Sequence, residues 1–224
     1  MLNCKKIANV IFPQARGINI NMMPFIIGDK LSIPKEYRHY YPLVEKCHLD
    51  PNEFGKIGYL SVSENLVKKG LSQRRPGIHT EKNPGGMGWG GGWGGGKEFP
   101  PINGNNNHNN LIGGLFQSSN INNSCRYWNE HISEPGALGN CEHLREKLGE
   151  GNLMKKNELY WMTDSCPHES MPLPELTYRQ WFRYVTSAVS VWYEKHSTKN
   201  RLGIKPNCQI IFDDKFGKNY IFAK

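Results

Sequence analysis

The apolar residues of this chain fall into runs of about five to eight residues, each closed by glycine, proline or asparagine. That spacing limits the fold more than any other feature, because runs so short suit strands better than helices. The 24 glycines and 14 prolines supply the breaks. Residues 57–63 alternate apolar and small polar side chains, a strand pattern with one face in and one face out. Residues 112–118, 124–132, 158–163 and 208–212 also read as strands, and 178–191 as one strand or two joined, although 186–194 could instead begin a helix. Residues 142–149 read as a short helix closed by Gly149. The sum predicts a mainly β chain, a barrel or a double-sheet jelly roll with a few short flanking helices.

We read one domain. Residues 1–55, punctuated by Pro13, Pro24, Pro34, Pro42 and Pro51, form an N-terminal flanking segment. Residues 56–195 form the β core and 196–224 a C-terminal extension. Two biased stretches interrupt the core. Nine of the twelve residues at 85–96 are glycine, which predicts a mobile loop, without a helix or a paired strand, carrying Trp89 and Trp93. The Asn-rich stretch 103–110 has nothing to bury and predicts an exposed tip or insertion. No apolar run approaches the ~20 residues of a membrane span. The six widely spaced cysteines form no Cys-x-x-Cys, so free thiols and an intracellular, cytoplasmic protein are expected. The net charge of +8 is spread over isolated residues and short pairs. It disfavours a nucleic-acid footprint and suits a small anionic substrate.

Chemistry concentrates in two separated segments. In extended chain, residues i and i+2 share a face, so His79 and Glu81 can present a nitrogen and an oxygen to one point. His168, after Pro167, can complete a set of three that leaves open positions on a metal. Arg179 and Arg183 stand eleven and fifteen residues beyond it and share a strand face. A guanidinium there can clamp a terminal carboxylate through two hydrogen bonds.

His79, Glu81, His168 and Arg179, in that order and spacing, resemble the Fe(II)/2-oxoglutarate-dependent dioxygenase superfamily. The second arginine, Arg183, is similar to the taurine-dioxygenase-type spacing. The resemblance covers roughly residues 55–195 and departs at Glu81, where aspartate is commoner. It implies a double-stranded β-helix of the jelly-roll or cupin-like type. It also implies Fe(II) on His79, Glu81 and His168, and 2-oxoglutarate as co-substrate with its C5 carboxylate on Arg179. O2 would be consumed, and an unidentified, anionic substrate hydroxylated with release of succinate and CO2. Arg183 would serve the anionic end of that substrate. The glycine-rich loop follows Glu81, so Trp89 and Trp93 are expected to close over substrate as a lid.

Other readings compete. Cys141-x-His143 and Cys166-x-His168 could make a Cys2His2 zinc site that claims His168. Cys166 beside His168 could act as a nucleophile, although no orienting group is evident. A cupin-type metalloprotein without 2-oxoglutarate, or a non-catalytic jelly-roll binding or structural protein, would keep the scaffold and lose the chemistry.

Overall fold

Along residues 177–185 the odd positions include Arg179, Trp181 and Arg183, and the even ones Gln180, Phe182 and Tyr184. All six are buried. A strand sends these two sets to opposite faces, so the segment must lie centrally, with an apolar layer on one side and a polar one on the other. The computed structural model, which describes residues 2–82, 93–98 and 111–215, has this arrangement.

Three strands precede the glycine-rich region: β1 (Cys4–Asn9), β2 (Asn19–Ile26) and β3 (Ile57–Val67). After it come β4 (Lys97–Glu98), β5 (Leu111–Ile112), β6 (Leu115–Ser119), β7 (Cys125–Tyr127), β8 (Asn152–Leu153) and β9 (Glu158–Met162). The last four are β10 (His168–Ser170), β11 (Thr177–Val185), β12 (Val191–Tyr193) and β13 (Gln209–Ile211). Helical structure is confined to short pieces, among them α1 (Tyr41–Glu45) and α2 (Arg145–Leu148). The protein is therefore mainly β. Its largest sheet has the order β1-β9-β6-β11-β3-β2, antiparallel throughout, and a smaller one has the order β10-β7-β8. β4 pairs with β5, and β12 runs parallel to β13.

The even-numbered face of β11 packs into the main core, where Phe182 and Tyr184 meet Phe25, Leu60, Phe116 and Trp161. Tyr184 stacks on Phe116 with ring centroids 5.8 Å apart. The opposite face of the same sheet carries Ser63 and Asn65 from β3, Gln117 from β6, and Asn19 and Asn21 from β2. β2 keeps this alternation and then breaks it. Its pairing with β3 slips between Ile20 and Met23, and Met22 there takes φ 48°. Ile20 thus joins the first core and Met22 the second.

Several sequence expectations are corrected. Residues 1–55 do not merely flank the core, because β1 and β2 form its two outer strands. Residues 124–132 hold only the three-residue β7. Residues 186–193 are not helical, and a 3-10 turn begins only at Glu194. The described end of the glycine-rich stretch is tied into the fold. Trp93 pairs with Val189, Gly94 N–H donates to the Ala188 carbonyl at 2.9 Å, and Asp164 N–H donates to the Gly95 carbonyl at 2.7 Å. Gly114, at φ 86°, lies so close to Trp161 that a Cβ would come within 2.4 Å of the indole nitrogen. The Asn-rich stretch 103–110 lies outside the described residues. All six cysteines are free thiols. Among the described residues no helix is long and apolar enough to cross a membrane.

One buried acid joins three parts of the chain. Glu64 in β3 accepts from the backbone N–H groups of Arg16 and Ile18, both at 2.7 Å, and from the Tyr40 hydroxyl at 2.6 Å. Gln180 of β11 adds a bond at 3.3 Å. Burial alone would raise the Glu64 pKa, but these donors hold it below the usual carboxylate range. A depressed carboxyl stabilises the fold fully above its unfolded value of about 4.3, and the gain is lost as pH falls through the folded value. Glu64→Gln is expected to cost about 2 kcal/mol at pH 7. It should also flatten the fall in stability below about pH 4, read by urea unfolding across pH.

Candidate metal centre

The small sheet brings the two histidines together. His79 and His168 exchange backbone hydrogen bonds, His79 N–H to the His168 carbonyl at 3.0 Å and His168 N–H to the His79 carbonyl at 2.9 Å. Residues paired in this way project to the same side, and their ring centroids lie 4.6 Å apart. Thr80 N–H donates to Gly139 O, and Gly139, at φ 75°, approaches so closely that a Cβ would sit 2.2 Å from the Thr80 carbonyl. Glu81 N–H and Lys82 N–H both donate to Asp164 O, at 2.9 and 3.0 Å. The His79–Glu81 segment is therefore fixed on both sides without belonging to a long strand.

Each imidazole is oriented through its inner nitrogen. His79 Nδ1 lies 2.8 Å from Gly77 O, and His168 Nδ1 lies 3.0 Å from Cys166 O. A carbonyl can only accept, so both Nδ1 atoms carry the proton and both Nε2 atoms offer a lone pair. Ligand atoms from His79, Glu81 and His168 all lie within 4.8 Å of one another, and the group can hold a metal ion. Burial lowers the pKa of both histidines. For His79 the neighbouring His168 and Arg75 lower it further, and for His168 Arg183 and Arg75 do. Both rings are thus neutral at pH 7, as ligation requires. Burial would raise Glu81, but Arg183 and Lys215 outweigh it and hold the carboxyl down to about 2. The donor set is two neutral nitrogens and one carboxylate, which suits an intermediate divalent ion with open positions.

The large sheet faces this group across a cavity of about 300 Å³. Arg179 is 0% exposed. It donates from Nε to Ser119 Oγ at 3.1 Å and from Nη1 to Ser170 Oγ at 3.2 Å, and among the described residues Nη2 has no acceptor. No carboxylate pairs with it among the described residues, and burial draws its pKa down to about 10. Arg183 instead donates to Glu81 Oε1 at 2.6 Å. Its guanidinium lies over Trp93 and Trp181, 5.1 and 5.2 Å from the ring centroids. The expected substrate role of Arg183 thus competes with an ion pair to the proposed ligand. Glu81 Oε2 accepts no hydrogen bond among the described residues.

Trp93 lines the cavity as a fixed wall and not as a mobile lid. It is 6% exposed, its backbone pairs with Val189, and its indole N–H donates to the Val191 carbonyl at 3.1 Å. Trp89, its expected companion, lies outside the described residues. The Cys2His2 alternative is not assembled. Cys166 Sγ donates to Trp128 O at 3.2 Å, Cys141 Sγ to Gly139 O at 3.4 Å, His143 is exposed, and His168 belongs with His79 and Glu81. Cys166 is fully buried and spent on that carbonyl, so it has no access to act as a nucleophile.

The sequence reading missed Arg74 and the polar row on β2 and β3, while Trp181, expected in the core or a cavity wall, lines the cavity. Arg74 lines the same cavity and its guanidinium lies 4.4 Å from the Trp181 ring centroid. Burial, with Arg183 and Arg179 nearby, draws its pKa down to about 9. The signal available was the alternation Asn19, Asn21 and Ser61, Ser63, Asn65, which repeats small polar residues on one strand face. No protein-family model, curated protein or solved structure matches the chain.

Titration with Zn(II) or Co(II) is expected to show one bound ion per chain and a rise in Tm, about 2.7 kcal/mol of stabilisation at 100 times Kd. His79→Ala, Glu81→Ala and His168→Ala should each abolish it. Cys141→Ser should leave it intact.

Proposed function

We infer that this chain is a non-haem Fe(II)- and 2-oxoglutarate-dependent oxygenase on a double-stranded β-helix frame, hydroxylating a small anionic substrate with release of succinate and CO2. One observation carries the reading. A neutral-imidazole and carboxylate group beside the small sheet faces, on the large one, a buried arginine with no acidic partner among the described residues. A buried cation is costly unless something anionic meets it, and 2-oxoglutarate has a carboxylate to spare at its far end.

The donor set fits the ion. Two Nε2 lone pairs and one carboxylate oxygen would occupy one side of Fe(II) and leave the cavity side open. When bound, iron supplies the redox chemistry that couples decarboxylation of the keto acid to oxidation of a second substrate. The chain's own contribution is placement. Carbonyls of Gly77 and Cys166 hold the tautomer and tilt of the two rings. Ser119 and Ser170 fix the plane of Arg179 and leave Nη2 to meet a carboxylate. Arg183 keeps Glu81 ionised, and the walls of Trp93 and Trp181 limit the water that reaches the site.

The Arg183–Glu81 pair favours a second reading, because it satisfies Glu81 without a metal. On that reading the cavity binds an organic anion and does no chemistry. The two separate cleanly. The oxygenase reading expects succinate from 2-oxoglutarate in air with Fe(II), lost in His168→Ala. It also expects a visible absorption band on anaerobic addition of Fe(II) and 2-oxoglutarate. Arg179→Gln should raise KM for 2-oxoglutarate by about tenfold or more, the loss of one charged hydrogen-bond partner. If neither succinate nor the band forms, while 2-oxoglutarate still raises Tm without metal, the binding reading stands.

A further inference from the structure

The charges that line the cavity do not balance. Leaving Lys215 aside, Arg74, Arg75, Arg179 and Arg183 face one acid, Glu81, a surplus of three positive charges. Residues 83–92, 99–110 and 216–224 contain no aspartate or glutamate, so those segments bring no acidic side chain to offset it. Filling the site as inferred above does not help either, since the two charges of Fe(II) and the two of 2-oxoglutarate cancel. A further anion is therefore wanted beside the keto acid.

Arg74 is the cation best arranged to meet it. Its Nη2 donates to Asn21 Oδ1 at 3.1 Å and its Nη1 weakly to Ser63 Oγ at 3.4 Å, both neutral acceptors. Its face lies on Trp181, which fixes the plane of the guanidinium. No carboxylate pairs with it among the described residues. Arg179, Arg183 and Arg75 are differently employed: one is reserved for the keto acid, one is paired with Glu81, and one donates to Leu138 O at 2.7 Å. Around Arg74 the wall is amide and hydroxyl, from Asn19, Asn21, Asn65, Gln73 and Ser63. Such a wall suits a ligand with polar groups along its length and offers little to an aliphatic one.

We propose that Arg74, planar on Trp181 and steadied by Asn21, is the anchor for an oxyanion of the second substrate, a small polar molecule ending in a carboxylate, sulfonate or phosphate. The cavity of about 300 Å³ lies at the lower limit of ordinary ligand pockets and sets the size. The proposal rests on the oxygenase reading only in reserving Arg179 for 2-oxoglutarate.

The test uses Trp181 as its reporter. Metal-free Arg179→Gln protein, in which the other unpaired arginine is gone, is titrated with acetate, methanesulfonate and inorganic phosphate while tryptophan fluorescence is followed. Saturable quenching is expected from at least one, and the strongest names the head group. Adding Arg74→Gln should weaken that binding by about tenfold or more, and Arg74→Lys by less, since it keeps the charge and loses the fork. Equal affinity with and without Arg74, or no saturation by any of the three anions, overturns the proposal. If Arg179→Gln does not fold, equilibrium dialysis of the otherwise native chain decides: Arg74→Gln must remove one bound phosphate, and an unchanged count refutes the assignment. No iron or keto acid enters these measurements. Failure of the oxygenase reading with Arg74-dependent anion binding intact, and the reverse, are therefore separate results.

Discussion

A guanidinium withdrawn from water without a carboxylate beside it is among the costliest things a small domain can hold, and among the described residues β11 holds Arg179 that way. The rest of the architecture follows from making this tolerable. β11 lies inside a six-stranded sheet, hydrogen-bonded on both sides to β3 and β6, so its backbone cannot shift to release the side chain. Its other face locks into the aromatic core through Phe182 and Tyr184. Ser119 and Ser170 supply neutral oxygens that ease the loss of water without removing the charge. The strand thus spends packing energy from one side to keep a charged, polar surface on the other.

The opposing sheet is small, and it is the one that carries the ligand set. Three-residue strands have little stability alone, so the His79–His168 pair depends on outside supports. Asp164 receives two backbone N–H groups from Glu81 and Lys82, Gly139 closes over Thr80, and Glu142 accepts from Ile78 N–H at 3.0 Å. Glu169, between the candidate ligand His168 and Ser170, is held by Arg126 and Arg145. These contacts orient the rings from behind while the cavity side stays open.

Much of the candidate site was legible in the sequence, because its geometry is local. An i, i+2 pair in extended chain shares a face wherever the strand sits, so His79 with Glu81 needed no tertiary information. Arg179 and Arg183 were legible for the same reason. The partners of those residues were not. That Arg183 would turn to Glu81, and that Arg74 would lie on Trp181, depends on how two sheets face each other, which no local pattern encodes. Strand positions came through where alternation was long, as in β3 and β9, and failed where it was short or interrupted, as in β7. At the described end of the glycine-rich stretch, residues 93–96, composition misled because it reports backbone freedom in isolation. Gly94 and Gly95 use that freedom to reach Ala188 and Asp164 at close range, and Trp93 is fixed as a result.

The two outer strands of the large sheet have a consequence for how the chain is made. β1 and β2 lie at opposite edges, although only nine residues separate them in sequence. β1 waits for β9, where Cys4 pairs with Met162, so this edge of the sheet closes only once β9 has been synthesised. Contacts spanning such distances make folding slow. Until then β1 lacks its neighbour, and its backbone donors and acceptors are open to pairing with another molecule. The emerging chain thus carries β1 unpaired until β9 follows, and β9 is what covers it.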